Sequence, residues 1–144
     1  MSKKVFIGAD HGGFALKTVI VEDLIKKGYD VEDLGCYSTE STDYPMYAEK
    51  VCAKVLEENA LGILVCGTGI GMSMAANRVP GIRAALATNE FHARLTRQHN
   101  NANVLCLGER VTGPGVAVNL AELFLETEFE GGRHQRRIDQ FDKA

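Results

Sequence analysis

The strongest constraint on this chain is an alternation. Short β-rich apolar runs occur at 5–9, 31–34, 62–66, 84–87 and 104–107, and a stretch with helical periodicity separates each from the next. Strands that alternate with helices in this way imply βα units and parallel pairing, so we expect an α/β fold with a five-stranded parallel sheet. Helices are predicted over 14–27, 44–58, 71–77, 90–98 and 116–126, with a final short one in 133–141. The first places Leu16, Val19, Ile20, Leu24 and Ile25 along one stripe, leaves its lysines and acids to solvent, and stops at Gly28, a usual left-handed cap. There is no internal repeat and no low-complexity linker.

Length and composition narrow the class further. At 144 residues and 45% hydrophobic content, the chain fits one domain over 1–144, a size that buries roughly 70% of its unfolded surface. Lys3 and Lys4 precede only the apolar run 5–9 before Asp10, too brief for a signal-peptide core or a membrane span, so a soluble, cytoplasmic protein without a membrane partner is expected. Cys36, Cys52, Cys66 and Cys106 form no C-x-x-C pair, which points to neither a zinc nor a disulfide framework, and no metal is expected. The net charge of -3 gives no basic field for nucleic acid. One local exception is the cluster Arg133, His134, Arg136 and Arg137.

Open α/β sheets bind ligands beyond the carboxyl ends of their strands. Three predicted strand ends carry chemistry: Gly8-Ala9-Asp10-His11-Gly12-Gly13, Cys66-Gly67-Thr68-Gly69-Ile70-Gly71 and Gly108-Glu109-Arg110. Cys66 ends a strand and opens a turn with Gly67, Gly69 and Gly71 just before a helix, whose positive end stabilises a thiolate. Free cysteine is also among the most buried residue types, and that core reading is retained for Cys52 and Cys106. Cys36 is a loop residue with no evident partner. The glycine loop offers close backbone N–H groups to a phosphate or an enediolate oxygen. A dinucleotide site would require G-x-G-x-x-G after the first strand, which this loop is not. Thr68 can donate its hydroxyl to a ligand or simply stabilise the turn.

Asp10 and His11 suit proton transfer, with helix capping by Asp10 as the structural alternative. His99 can act as acid or base near neutrality, or only neutralise a helix end. Arg133 and Arg137 are four apart, so a helical turn stacks both guanidinium groups as a bidentate phosphate clamp, against the alternative of a plain charged tail. Arg110 follows a strand end and is a further candidate contact.

Taken together, Gly-Ala-Asp-His-Gly-Gly, Thr42-Asp43-Tyr44-Pro45, Cys66-Gly67-Thr68-Gly69-Ile70-Gly71, Arg97-Gln98-His99-Asn100 and Gly131-Gly132-Arg133-His134 make the chain resemble, nearly end to end, the type B ribose-5-phosphate isomerases and the related galactose-6-phosphate isomerase subunits. The resemblance implies a three-layer, Rossmann-like α/β sandwich and an aldose–ketose isomerase that needs no cofactor or metal. It implies that Cys66 takes the C2 proton, that Asp10 and His99 help open the furanose ring, and that Thr68 and the amides of Gly67, Gly69 and Gly71 steady the enediolate. His11, Arg133 and Arg137 match the phosphate site, with Arg110 nearby, and Tyr44 and Asn100 line the sugar. It further implies a homodimer or dimer of dimers with shared active sites, the tail 128–144 packing on a partner. One branch of the family has serine in place of the thiol and a glutamate on the next helix; Met72 occupies that helix position here. A six-carbon sugar-phosphate isomerase and a non-catalytic sugar-phosphate or nucleotide-binding regulator are the alternatives.

Overall fold

Alternate residues of the central strands face two different cores, and this period-two division builds the molecule. In the computed structural model, which describes residues 3–142, strands β1 (Lys4–Ala9), β2 (Asp30–Asp33), β3 (Leu61–Cys66), β4 (Ala84–Leu86) and β5 (Val104–Gly108) form one parallel sheet in the order β2-β1-β3-β5-β4. Val5, Ile7, Ala9, Ile63, Val65, Leu105 and Leu107 point into one core, beneath α1 (Phe14–Lys26), α4 (Glu90–Gln98) and α5 (Pro114–Glu126). Phe6, Leu64, Cys66, Val104 and Cys106 point into the other, beneath α2 (Tyr44–Glu58) and α3 (Ile70–Ala76). The expected five-stranded, three-layer sandwich is therefore observed. Among the described residues, no helix is long and apolar enough to cross a membrane.

Strand order creates the ligand crevice. The chain leaves β1 for β2 on one side and returns past it to β3 on the other, so the carboxyl ends of β1 and β3 flank a topological switch point. Parallel polarity also has a converse. Each helix after a strand runs back toward the amino ends, so α4 carries Gln98 and His99 away from the crevice, and α6 (Arg133–Ile138) lies beside them.

Helix positions follow the periodicity closely, with Gly28 at φ +92° as the left-handed cap of α1. Three expectations need correction. Val19 and Ile25 are 37% and 58% exposed, so the buried stripe of α1 is narrower than predicted: Leu16, Ile20 and Leu24. Lys17, expected in solvent, is 1% exposed; its ammonium lies 2.7 Å from both oxygens of Asp33, donates to the Cys36 carbonyl at 2.6 Å, and sits over the rings of Phe14 and Tyr37. Cys36 is a loop residue as expected, but it is buried and does have a partner, its thiol donating to the Ser38 carbonyl at 3.3 Å. A lysine one residue on from Leu16 is turned about 100° away from the apolar stripe and looks solvated in a helical projection, and only the carboxylate at the end of β2 makes burial of its charge tolerable.

The β1–α1 turn approaches β3 so closely that a Cβ on Gly13 would stand 2.4 Å from the Val65 carbonyl oxygen. Gly13→Ala should destabilise the fold by about 1–3 kcal/mol or more, because the obstacle is main chain and cannot rotate away. Thermal unfolding would register this as a lowered midpoint; an unchanged midpoint would mean that the turn is free to back off.

Candidate active site

Three strand ends converge at the crevice. After β1, the Asp10 N–H donates to the Val65 carbonyl at 3.3 Å, and Asp10 Oδ1 accepts the Gly12 N–H at 2.9 Å. Asp10 thus caps the short 3-10 turn His11–Gly13, as the structural alternative anticipated, while its second carboxylate oxygen is left for other work. A Cβ on Gly12 would come within 3.3 Å of the Gly67 nitrogen, so this turn lies directly against the glycine loop after β3. His11 is held from the far side: its N–H donates to Thr42 Oγ1 at 3.2 Å, and the Thr42 N–H donates to His11 Nδ1 at 3.1 Å. With Nδ1 accepting, the neutral ring carries its proton on Nε2, a donor available to an anion.

At the end of β3, Cys66 is 5% exposed and its sulfur accepts the Gly69 N–H at 3.1 Å. Gly69 has φ +81°, a conformation glycine adopts freely, and a Cβ there would lie 2.6 Å from Leu86 Cδ1. Thr68 Oγ1 accepts the Ile70 N–H at 3.2 Å, leaving its own O–H to donate elsewhere. Gly71 meets Tyr44: a Cβ on this glycine would stand 2.7 Å from the ring carbon Cζ. Met72, the position of the alternative glutamate, is fully buried in the core.

The end of β5 closes over the same loop. The Glu109 N–H donates to the Cys66 carbonyl at 2.9 Å and the Arg110 N–H to the Gly67 carbonyl at 3.0 Å, while the Arg110 side chain runs past Gly67. Glu109 then reaches across to accept the Leu16 N–H at 2.9 Å, capping the first turn of α1 with a carboxylate. This role, like the Thr42–His11 pairing, is a tertiary contact with no local sequence signature; only the clustering of Gly108-Glu109-Arg110 at a strand end marked the place.

The structure thus gathers Asp10, His11, Tyr44, Cys66, Gly67, Thr68, Gly69, Gly71 and Arg110 at one end of the sheet. His99, Asn100, Arg133 and Arg137 are not among them. They lie at the opposite end, separated by the nine residues of α4, a rise of about 13 Å. There His99 stacks on His134, ring centroids 4.2 Å apart. Burial, then the neighbouring His99 and Arg133, lowers the His134 pKa from the usual histidine value, against an opposing pull from Glu130. Cavities of about 470 and 520 Å³ occur at the amino ends of the strands and beside β4, and neither is lined by Cys66.

Cys66, with its main-chain donor Gly69, sits at the switch point of a parallel α/β sheet, the place where enzymes of this fold class bind small ligands. The chain belongs to the Ribose/Galactose Isomerase family, whose profile matches residues 5–141. It is 47% identical over 138 residues to ribose-5-phosphate isomerase B of Escherichia coli, covering 95% of this chain and 93% of that one. A ribose 5-phosphate isomerase structure from Thermotoga maritima superposes with a TM-score of 0.96 at 51% identity, covering 99% of each chain. The ribose-5-phosphate isomerase B of Mycoplasma genitalium, solved with bound ribulose-5-phosphate, gives 0.92 at 49% identity over 97% of this chain and 94% of that one.

The other thiols differ from Cys66 in their surroundings. Burial pushes the Cys52 thiol up to about 12, and burial, with Cys52 and Cys66 adding to it, holds Cys106 well above the ordinary range. The unfolded chain gives up both protons from about pH 8.5 while the folded chain keeps them, so their stabilising contribution is complete below that pH and is lost as pH rises toward the folded values. Iodoacetamide at about pH 9 should therefore leave Cys52 and Cys106 unmodified in the folded protein, whereas denatured protein reacts at all four cysteines. Peptide mapping that found either core thiol labelled at the denatured rate would contradict this.

Proposed function

We propose that this protein interconverts ribose 5-phosphate and ribulose 5-phosphate through an enediolate, with Cys66 as the base at C2. The observation that carries the reading is the Cys66 sulfur seated against the Gly69 N–H, at the head of the glycine loop that joins β3 to α3. The bound ribulose-5-phosphate in the Mycoplasma genitalium relative supports a five-carbon substrate.

The sugar enters as a furanose. Asp10 accepts the O1 proton, His99 supplies one to the ring oxygen, and the bond from C1 to that oxygen breaks to give the aldehyde. Cys66 then removes the C2 proton, and the electron pair forms the C1–C2 double bond while negative charge collects on O1. The loop amides of Gly67 and Gly71 and the free hydroxyl of Thr68 meet that charge, joined by the Gly69 N–H once the sulfur has taken up the proton; deleting one such donor typically slows a reaction about 100- to 1000-fold. The O2 proton passes to O1, the same thiol returns its proton to C1, and the C2 ketone forms as the C1–C2 double bond becomes single. His11 Nε2–H and Arg110 hold the phosphate together with Arg133 and Arg137, and Tyr44 and Asn100 flank the carbon chain.

His99, Asn100, Arg133 and Arg137 reach Cys66 only from a second copy of the chain, in a homodimer or dimer of dimers on which the tail 128–144 packs. The separation of the two groups along α4 supports this arrangement. Each copy is then a single domain over 1–144, and we assign it to the cytoplasm on its four free thiols.

Cys66→Ala should lower turnover of ribose 5-phosphate by at least about 100-fold, the lower bound for losing a general base, while calorimetry still detects sugar-phosphate binding. Near-normal turnover would rule the thiol out. Shared sites have a separate signature. Equal amounts of Cys66→Ala and His99→Asn chains, unfolded and refolded together, should recover about a quarter of wild-type activity, since half of random dimers are mixed and each mixed dimer holds one intact site of two. No recovery above the single variants would place both residues in one chain's site.

A further inference from the structure

His99 and His134 arrive from different elements and form one unit. His99 follows the last turn of α4, and His134 is the second residue of α6. Their rings stack with centroids 4.2 Å apart and planes 13° from parallel. Glu130 stands at the edge of the stack, its Oε1 3.8 Å from His99 Nε2 and 3.6 Å from His134 Nε2. Backbone bonds fix all three: the Glu130 N–H donates to the Gln98 carbonyl at 3.0 Å, the His99 N–H to Leu95 at 2.8 Å and the His134 N–H to Gly131 at 3.2 Å.

Burial is unequal within this unit. The His99 side chain is 39% exposed and that of His134 only 7%. The Nε2 atom of His134 is shielded from solvent and has no hydrogen-bond partner among the described residues. A buried polar atom without a partner is rare in folded proteins and asks for a reason. One carboxylate faces two rings, and two stacked imidazolium ions at this spacing repel, the more so beside Arg133 and Arg137 on α6. Arg97 of α4 is turned the other way, toward the Thr127 and Ala102 carbonyls. The stack therefore holds one proton at a time. On His134 that proton would be cut off from water; on His99 it keeps its hydration and the same carboxylate.

We infer that His134 and Glu130 are positioning residues for His99: the neutral, buried His134 ring is a platform that fixes the plane of His99, and Glu130 is the counter-charge that keeps the proton on His99 for delivery to the furanose ring oxygen. The inference rests on the reading of His99 as the acid of ring opening. Burial first, then the charges of His99, Arg133 and Arg137, lowers the His134 pKa, which agrees with a neutral platform. The unpartnered Nε2 then has an explanation, since a proton there would compete with the acid next to it.

Ribulose 5-phosphate supplies the test, because its 5-hydroxyl is esterified and it has no furanose form. Exchange of its C1 hydrogen with heavy water requires Cys66 but no ring chemistry, whereas forward turnover of ribose 5-phosphate requires both. Glu130→Gln and His134→Ala should each lower forward kcat by about 10- to 100-fold and leave C1 exchange within about twofold of wild type. Glu130→Gln should also move the basic limb of the forward pH profile down by about one unit, since an acid that loses its carboxylate gives up its proton earlier. His134→Phe, which restores a ring without a titrating nitrogen, should recover forward turnover to within about threefold. Parallel loss of exchange and forward turnover in both variants, or an unmoved basic limb, would overturn the inference. His99→Asn is the reference: if it spares forward turnover, the role of His99 itself falls, whereas a block there with Glu130→Gln and His134→Ala unaffected overturns only the positioning.

Discussion

Main-chain contact between neighbouring strand ends is the constraint from which the site follows. The β1–α1 turn, the loop after β3 and the end of β5 touch through backbone atoms, at distances where a Cβ on Gly13 or Gly108 would meet the Val65 carbonyl or the Thr68 backbone at 2.4 and 2.5 Å. Side chains between those segments would hold them apart by the width of a methyl group or more. With the spacers removed, the turn after Asp10, the loop after Cys66 and the segment at Arg110 are brought against one another. Catalytic constellations tolerate only fractions of an ångström of misplacement, so contacts that cannot slide are well suited to carry one.

The second support is electrostatic and lies just outside that volume. Lys17 is sealed from solvent by Phe14 and Tyr37 and bonded to Asp33 and the Cys36 carbonyl, which ties α1 to the end of β2 and to the segment beyond it. That segment leads to Thr42, which pairs with His11, and to Tyr44, which lies over Gly71. A buried ammonium is tolerable only with its partner present. The position of the His11 ring therefore depends on an ion pair near it that takes no part in the chemistry. Glu109 does the corresponding work on the other side, capping α1 from β5.

Periodicity revealed the sheet, the helices and the strand ends because those depend on local pattern: apolar runs of strand length, helical stripes between them and a glycine after α1. The thiol and its glycine loop were visible for the same reason, being contiguous. What stayed hidden was every contact between segments distant in sequence. Lys17 looked solvated because its partner lies beyond the end of the next strand. Val19 and Ile25 looked buried because a helical stripe says which residues share a face and not how much of that face a neighbour covers. Thr42, Glu109 and His134 lie inside quoted motifs and Glu130 beside one, but nothing local names their partners, which appear only once the sheet order brings β5 beside β3 and α6 beside α4.

Sheet polarity also bears on why a chain of this size would share its site. In a parallel βα array the carboxyl ends of all strands lie on one side, and the carboxyl ends of the helices that follow them lie on the other. A thiol at the end of β3 and a histidine at the end of α4 are thereby assigned to opposite sides, and no change of side chain brings them together. A single chain could join them only with a long excursion from one side to the other, ordered at a large entropic cost. Apposing two copies, each offering its amino-end histidine and arginines to the other's carboxyl-end crevice, requires no excursion, and symmetry repeats the arrangement at the second site. In the dimer proposed above, the short helix α6 presents Arg133, Arg137 and the His134 ring to a site that begins where the other copy's β3 ends.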